Sequence, residues 1–397
     1  MTVPTSCPGA GTGPAAWWPT VVLSVALLVL GLLPMPGGAA RSAQRSARTP
    51  GLNRADHETS AGGYYEAILS GGDIARGELA MRLLGKPADW VRFLDTDAAR
   101  HLPGDFLQFE LRPNLDLNLY GRPFTTNAYG MRDRPYSQAK PDGIFRIALL
   151  GSSIDMGWGV GTDETYENLL EDWLNAHAAR RGLARRFEVL NFAVAAYGPL
   201  QRLEAFRRKA EAFEPDLVLY STTMLDMRLL ELHLCRLLRG RIAIPDDWLR
   251  RAIAEAHFSP TELALDDQGE LKAKDVVKAK LRRQLWGMAD DALGTLTAAC
   301  RARGLPLLCL IIPRVGKVDA PEARAPIVAR FEAIAARHAV PLIDLSAVFD
   351  DRDPAELEIA PWDDHPNALG HKLLFRALAH ALVDEAAMYR LLFHENH

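Results

Sequence analysis

Residues 145–160 read FRIALLGSSIDMGWGV, and this stretch decides the fold class. The apolar run 145–150 ends at Gly151, which predicts a short strand buried on both faces. A helix is predicted next, with Asp163 as its N-cap, because apolar residues follow at helical spacing: Tyr166, Leu169, Leu170, Trp173 and Leu174. A buried strand followed directly by an amphipathic helix is the repeating unit of an α/β fold.

The same alternation continues towards the C-terminus. Four more strands are predicted at 187–194, 217–222, 305–313 and 341–346, with helices between them at 200–213, 321–338 and 367–382. The pattern predicts a three-layer α/β/α sandwich with a five-stranded parallel sheet, of flavodoxin-like type. Residues 227–303 are amphipathic and charged, and we interpret them as a helical insertion between the third and fourth strands.

The composition excludes several classes of protein. The 397 residues carry 46 Lys and Arg against 50 Asp and Glu, and 48% are hydrophobic. This balance argues against wholesale disorder and gives no reason to expect a nucleic acid as partner. The four cysteines lack the C-x-x-C spacing of a zinc knuckle and do not suggest a disulfide scaffold: Cys7, Cys235, Cys300 and Cys309.

The N-terminal 40 residues predict a signal peptide or a membrane anchor. The apolar run 21–33 has the length of a secretory core, and Gly38 and Ala40 suit a cleavage site. We therefore expect export to the periplasm or cell envelope. An uncleaved inner-membrane anchor over 15–35 stays open, although the arginines that follow the run would favour a cytoplasmic C-terminus.

The rest of the chain divides into three parts by composition. Residues 41–60 are small, polar and basic, which is typical of a linker. Residues 61–144 mix short helical and turn-rich sequence and are interpreted as an accessory segment. Residues 145–385 form the predicted main domain.

Candidate reactive side chains follow the first and last strands. Ser153 comes directly after the first strand, and Asp363 and His365 follow the fifth in a predicted loop. A serine hydroxyl needs an adjacent base, and the imidazole needs an acceptor that fixes its tautomer. Since the carboxyl ends of parallel strands share one edge, we expect these groups to meet. Alternatives are a glycine-serine turn without chemistry, a solvated loop histidine, and a metal site of His365, His371 and Asp363.

These motifs resemble the SGNH/GDSL hydrolases, in a bacterial envelope-associated subgroup. FRIALLGSSIDMGWGV resembles the first block of that subgroup, and DDHPNALGH at 363–371 resembles the last. VLNFAVAAYG and PDLVLYSTTMLD occupy the places of the second and third blocks. Upstream, Pro113-Asn114 and TNAYGMR at 126–132 resemble its P-N and N-x-x-G-x-R pattern. The resemblance covers residues 105–385.

The resemblance implies roles for particular residues. Ser153 would be the nucleophile, His365 the general base and Asp363 its orienting acid, without a metal or organic cofactor. The oxyanion hole would use the backbone N–H groups of Ser153 and Ala196, and Leu225 stands at the position of the family's third donor, an asparagine.

Several positions depart from the family pattern. Ser152 replaces an aspartate, Ala196 a glycine, and Leu225 offers no side-chain donor. Losing one oxyanion donor typically lowers kcat by about 100- to 1000-fold. Three side chains are candidates to replace that donor: Asn191, Thr222 and Thr223. Asp155, where the subgroup has threonine, would repel an oxyanion unless it is turned away or paired.

The resemblance implies a serine esterase that acts on O-acyl groups, O-acetyl groups in particular, of an acylated small molecule or a cell-surface polysaccharide. The alternatives are an O-acyltransferase that uses the same acyl-enzyme and a non-catalytic envelope protein that binds or assembles polysaccharide.

Asp344, at the end of the fifth strand, is either an alternative acid or a turn cap. Arg314 either faces an anionic substrate or lies on the surface.

Overall fold

The computed structural model of the protein describes Lys86 and residues 90–119, 121–316 and 321–394. The predicted signal or anchor (1–40) and the predicted linker (41–60) lie outside the described residues. Within the part of the chain that the structure describes, no helix combines the length and apolar character needed to cross a membrane.

A five-stranded parallel sheet forms the centre of the protein, in the order second, first, third, fourth and fifth strand. The fold predicted from the sequence is thereby confirmed. The strands are, in chain order, Ile144–Leu150, Arg186–Asn191, Leu217–Thr222, Leu307–Ile311 and Leu342–Asp344. After the second strand the chain crosses to the other side of the first strand, where the third strand pairs with it, and this places a topological switch point beside the first strand.

The first strand supplies alternate side chains to two apolar cores, because successive residues of a strand point to opposite faces. Ile147 and Leu149 pack with the helices Tyr166–Arg180 and Ala368–Asp384. On the other face the core includes Ala148, Leu150 and residues of the helices Pro199–Arg208 and Leu285–Arg301. The sheet is therefore covered on both sides, as expected of parallel strands.

The remaining helices flank the sheet or lie in the predicted insertion. Residues 226–301 contain the helices Asp226–Gly240, Asp247–Ala254, Lys274–Arg282 and Leu285–Arg301. The other helices of the described chain, besides those named above, are Ser153–Met156, Pro321–Arg337, Pro354–Leu357 and Ala386–Phe393. Short 3-10 segments lie at Phe93–Asp95, Thr162–Glu164 and Ala210–Phe213.

Several predicted boundaries differ from the structure. The fourth and fifth strands, predicted at 305–313 and 341–346, are shorter, and three other boundaries are wrong for local reasons. Thr165, and not Asp163, is the N-cap of the helix Tyr166–Arg180, because its side chain accepts the N–H of Asn168. The second strand stops at Asn191, whose side chain accepts the N–H of Ala193 at 3.0 Å and turns the chain. The helix predicted over 200–213 ends at Arg208, and a 3-10 turn completes the segment.

The segment before the sheet forms two antiparallel ribbons. The first pairs Ala99–His101 with Phe109–Leu111, and the second pairs Asp116–Leu119 with Arg122–Thr125. The first ribbon is fixed to the turn after the second strand, since the Tyr197 hydroxyl donates to the Phe109 carbonyl at 2.7 Å. Its apolar side chains share one cluster with Trp158 and with residues 193–197.

Candidate active site

Ser153 is the first residue of a short helix that begins directly after the first strand. The chain turns sharply there, and position 151 has no room for a side chain, so a glycine is required. A Cβ atom at Gly151 would lie 2.2 Å from Oδ2 of Asp155. The turn places the Ser153 side chain at the carboxyl edge of the sheet, as the sequence predicted.

Asp155 is turned back into the protein and paired. Its Oδ2 accepts the N–H of Ser152 at 2.7 Å, and its Oδ1 accepts the Tyr166 hydroxyl at 2.7 Å. Burial raises the pKa of the Asp155 carboxyl, and these two hydrogen bonds only partly oppose that effect. Asp155 is therefore paired, which relieves the repulsion of an oxyanion that the sequence predicted for an unpaired carboxylate.

Asp363 and His365 lie on a strand, and the prediction of a loop here is wrong. Asp363–Pro366 pairs antiparallel with Glu358–Ala360 in a separate two-stranded ribbon. Residues two apart on a strand point to the same face. The extended backbone therefore brings the carboxylate of Asp363 beside the imidazole of His365.

The structure brings the three predicted side chains together. His365 Nε2 lies 2.7 Å from Oγ of Ser153, and His365 Nδ1 lies 2.5 Å from Oδ1 of Asp363. All three residues are buried, with exposures of 6% for Ser153 and 2% for each of the other two. The arrangement is that of a serine activated by an imidazole which is itself oriented by a carboxylate.

Trp158 completes the hydrogen bonding of Asp363. Its indole Nε1 donates to Oδ2 of Asp363 at 2.9 Å, so both carboxylate oxygens are engaged. Burial alone would raise the pKa of Asp363. The charge of His365 and the hydrogen bonds from His365 and Trp158 outweigh it, and the pKa stays below its usual value. The carboxylate is therefore kept ionised beside the imidazole.

Ala196 occupies a backbone position that favours glycine. It lies in the turn closed by the hydrogen bond from the Tyr197 N–H to the Val194 carbonyl, and its φ is 68°. Its own N–H donates to no acceptor in the part of the chain that the structure describes. The replacement of the family's glycine therefore keeps both the turn and an available donor, at the cost of a strained alanine.

The third oxyanion donor has no replacement among the side chains proposed from the sequence. The hydroxyl of Thr222 donates to the Leu310 carbonyl at 3.0 Å, and that of Thr223 donates to Asp226 at 3.3 Å. The amide of Asn191 is likewise engaged, as described below. Leu225 is half-buried in the apolar cluster around Trp158.

Asn191 instead supports the chain behind Ser153. Its Nδ2 donates to the backbone carbonyl of Asp155 at 2.8 Å and to Oε1 of Glu167 at 3.0 Å. Both donors of this amide are therefore directed into the protein. Asn191 holds the short helix from behind and does not act as a donor to substrate in this arrangement.

Arg314 and Asp344 have structural partners. Arg314 is buried, so its interpretation as a surface residue is wrong, and its Nη1 donates to Oδ2 of Asp364 at 2.8 Å. Asp344 is exposed, and its Oδ1 accepts the N–H of Ser346 at 2.8 Å, as a turn cap does.

The metal site considered from the sequence does not form as proposed. His371 is buried and turned towards the helix Tyr166–Arg180, where its Nδ1 accepts the backbone N–H of Tyr166 at 3.2 Å. Within the described residues, ligand atoms of Asp363, Asp364 and His365 do lie within 4.8 Å of one another. Each of them already has a protein partner, namely Trp158, Arg314 and Ser153 respectively.

Two side chains of this region were not predicted from the sequence, Trp158 and Arg132. Trp158 bonds to Asp363, and Arg132 bonds to the backbone beside Trp158. Both lie inside motifs that carry the family resemblance, the first block and the upstream N-x-x-G-x-R pattern. The motifs marked the positions, but the partners of a side chain across the fold are not visible in the sequence.

Solved structures with a similar fold include three esterases or hydrolases whose sequences have low identity to this chain. A two-domain esterase active on acetylated mannans is 14% identical, with a TM-score of 0.34, and the match covers 61% of this chain and 49% of that one. This chain thus spans about half the length of that esterase. An alpha/beta hydrolase enzyme from the metagenome of Lake Arreo, Spain, is 19% identical over 60% and 94% of the two chains, with a TM-score of 0.37.

The third structure is a catalytic mutant of an acetylxylan esterase from Geobacillus stearothermophilus. It is 16% identical, the match covers 59% of this chain and 93% of that one, and the TM-score is 0.35. A search of curated protein sequences finds no match to this chain.

The model of the GDSL-like lipase/acylhydrolase family matches residues 149–373. This range covers more than half of the sequence and includes Ser153, Asp363 and His365. The chain belongs to the GDSL-like lipase/acylhydrolase family.

Proposed function

We propose that the protein is a serine ester hydrolase that forms an acyl-enzyme at Ser153. The observation that carries the proposal is the continuous hydrogen-bonded series from Ser153 through His365 to Asp363. In the proposed reaction Oγ of Ser153 attacks the ester carbonyl while His365 Nε2 takes the proton. His365 then returns the proton to the leaving alcohol, and the same imidazole activates a water that releases the acid.

Two backbone donors would stabilise the oxyanion. Ser153 offers the N–H of the first residue of its helix, and Ala196 offers an N–H that is not used within the described chain. Donors that are fixed in place before the reaction stabilise a developing charge because they need no reorganisation. With Leu225 at the third position, we expect a slower enzyme than one with all three donors.

The acyl group is proposed to be small. Ser153 is only 6% exposed, and the apolar cluster that contains Trp158 and Phe93 also includes Leu225. Such a confined and apolar surrounding fits an acetyl group better than a long chain. We propose that the acetyl ester is carried by a glycan of the cell surface and that the protein is exported to meet it.

Acetate release tests this proposal. We would incubate the purified protein with p-nitrophenyl acetate, acetylated xylan and acetylated mannan, and measure free acetate. Wild type should release acetate from at least one of them, and Ser153→Ala should release none above background. Equal release by both proteins would contradict a role of Ser153. Transfer of the acetyl group to an added oligosaccharide, instead of release as acetate, would identify the acyltransferase alternative.

A non-catalytic role in binding or assembling polysaccharide is the second candidate. The observation that favours it is Leu225, together with the engaged hydroxyls of Thr222 and Thr223. This alternative predicts that glycan binding, measured by calorimetry, is equal in wild type and Ser153→Ala while neither protein releases acetate.

A further inference from the structure

The buried side chain of Arg132 contacts the turn that follows the helix Ser153–Met156. Its Nη1 donates to the carbonyl oxygens of Met156 at 2.8 Å and Gly157 at 2.6 Å. Its Nη2 donates to the carbonyl of Val160 and, at 3.4 Å, to that of Pro123. One guanidinium thus binds three carbonyls of the same turn.

The turn needs such a partner because the helix is very short. The last carbonyls of any helix have no partner within the helix, and this helix has only four residues. Gly157 ends it with a φ of 81°, and a Cβ atom there would lie 2.4 Å from Nη1 of Arg132. The glycine therefore serves both the left-handed turn and the close approach of the guanidinium.

The same turn carries Trp158, which contacts the candidate active site. The backbone N–H of Trp158 donates to the Ser153 carbonyl at 3.0 Å, and its indole donates to Asp363 at 2.9 Å. Arg132 binds the carbonyls of Gly157 and Val160, on both sides of Trp158. The position of the indole is therefore tied to the position of the guanidinium.

The guanidinium of Arg132 lies over the Phe124 ring, 4.9 Å from its centroid, and no carboxylate among the described residues bonds to it directly. Each of its hydrogen bonds goes to a backbone carbonyl, and its buried Nε has no partner among the described residues. Burial lowers the pKa of the guanidinium to about 10, while the charges of Glu167 and Glu164 partly oppose this. A buried cation without a directly bonded carboxylate is destabilising, which suggests that its value to the protein lies in the geometry it fixes.

We propose that Arg132, from the segment before the sheet, is a positioning residue for the active site: it fixes the turn 156–160 and thereby holds the Trp158 indole against Asp363. This inference rests on the proposed hydrolase function. It also links the accessory segment to the chemistry, because Arg132 and the strand Arg122–Thr125, which contributes the Pro123 carbonyl, both precede the first strand of the sheet.

Steady-state kinetics with p-nitrophenyl acetate tests the inference through Arg132→Lys and Trp158→Phe. We expect kcat per folded molecule to fall by about 100-fold in each, the effect of a misplacement of about 1 Å, with KM nearly unchanged. The matched control is Arg146→Lys. Arg146 is also a buried arginine that donates to backbone carbonyls, those of Ser137, Gln138 and Phe213. It also donates to Oε2 of Glu188 at 2.8 Å, and none of these contacts involves the turn.

A loss of folding stability without a fall in kcat would overturn the inference, as would an equal fall in the control. Urea unfolding of each variant provides the folded fraction that this comparison needs. If Arg132→Lys does not fold, the result for Trp158→Phe decides: an unchanged kcat overturns the inference and a fall of the expected size supports it.

The NMR signal of the Trp158 indole N–H tests the role of Arg132 without any measurement of ester hydrolysis. In a ¹H–¹⁵N spectrum, the Trp158 resonance is the one that disappears in Trp158→Phe. We expect it to move in Arg132→Lys and to stay in place in the Arg146→Lys control. If wild type shows no ester hydrolysis, the proposed function fails, and this resonance still decides: an unmoved signal overturns the inference and a moved signal supports it.

Discussion

Ser153 and His365 are 212 positions apart in the chain, yet Oγ of the serine lies 2.7 Å from Nε2 of the imidazole. Two separate strand systems produce this contact. Ser153 follows the first strand of the central parallel sheet, whereas His365 belongs to a small antiparallel ribbon beside it. The candidate active site therefore depends on how the ribbon packs against the end of the sheet.

Asp363→Asn should reduce ester hydrolysis far more than it reduces stability. The asparagine keeps the size of the side chain but no longer holds the imidazole in the tautomer that accepts a proton from Ser153. Loss of this orientation in a serine-histidine-aspartate site lowers kcat by roughly 10⁴-fold. Stopped-flow or steady-state measurement of acetate release would show it. A fall of less than tenfold would mean that Asp363 is not the orienting group.

Leu225→Asn should increase kcat, because it offers the donor that the site lacks. One oxyanion donor corresponds to about 100-fold or more in kcat. Leu225 is half-buried and lies directly before the helix Asp226–Gly240. Leu225→Met, of similar size and without a donor, is the control. A clear fall in kcat with asparagine alone would show that this site stabilises the oxyanion in another way.

Ala196→Gly should leave the free energy of unfolding nearly unchanged. The φ of 68° at Ala196 is unfavourable for alanine by about 1–2 kcal/mol. The added chain entropy of glycine, roughly 0.4–1 kcal/mol, and the loss of a buried methyl group, about 0.8 kcal/mol, offset that gain. Ala195→Gly is the matched control, since its buried methyl group is lost without relief of strain. It should lose about 1–2 kcal/mol. Equal losses in urea unfolding would refute the account of the turn.

Glu167→Gln should make stability less dependent on pH. Oε1 of Glu167 accepts hydrogen bonds from Asn168 and Asn191, and its buried Oε2 has no partner among the described residues. Burial, and then the charge of Asp133, raise the pKa of Glu167 well above 4.5. The folded protein keeps this proton where the unfolded chain loses it, so stability falls as pH rises above about 4.5.

The urea midpoint of wild type should therefore decrease between pH 5 and pH 8, and that of Glu167→Gln should decrease less. Asp133, whose burial raises its pKa to about 8, contributes to the decrease in both proteins. Glu332→Gln, at an exposed position, provides the control. Identical pH dependence in wild type and Glu167→Gln would show that Glu167 is ionised in the folded protein.

The sequence predicted the sheet and the meeting of three side chains because both depend on local signals. The apolar runs gave the strands, and polar residues at their carboxyl ends had to share one edge. The resemblance assigned roles to Ser153, Asp363 and His365, and the structure brings them within hydrogen-bonding distance, although Asp363 and His365 belong to the separate ribbon and not to a strand of the sheet. Errors in the predicted secondary structure were confined to caps, element ends and short elements, such as the strand at Asp363–Pro366.

The supports of the site could not be predicted because they are contacts across the fold. The donation from Trp158 to Asp363 joins residues 205 positions apart, and the contacts of Arg132 reach 24 to 28 positions along the chain. Likewise, the pairing of Asp155 with Tyr166 depends on the approach of the next helix. Periodicity and motif spacing contain no information about such partners.

Covalent labelling of Ser153 tests the central claim most directly, because it needs no knowledge of the substrate. The purified protein would be treated with a fluorophosphonate, and the intact mass and the modified peptide would be read by mass spectrometry. We predict one adduct on wild type, located at Ser153, and none on folded Ser153→Ala or His365→Ala. A folded wild type that remains unmodified, or an adduct at another serine, would contradict the account.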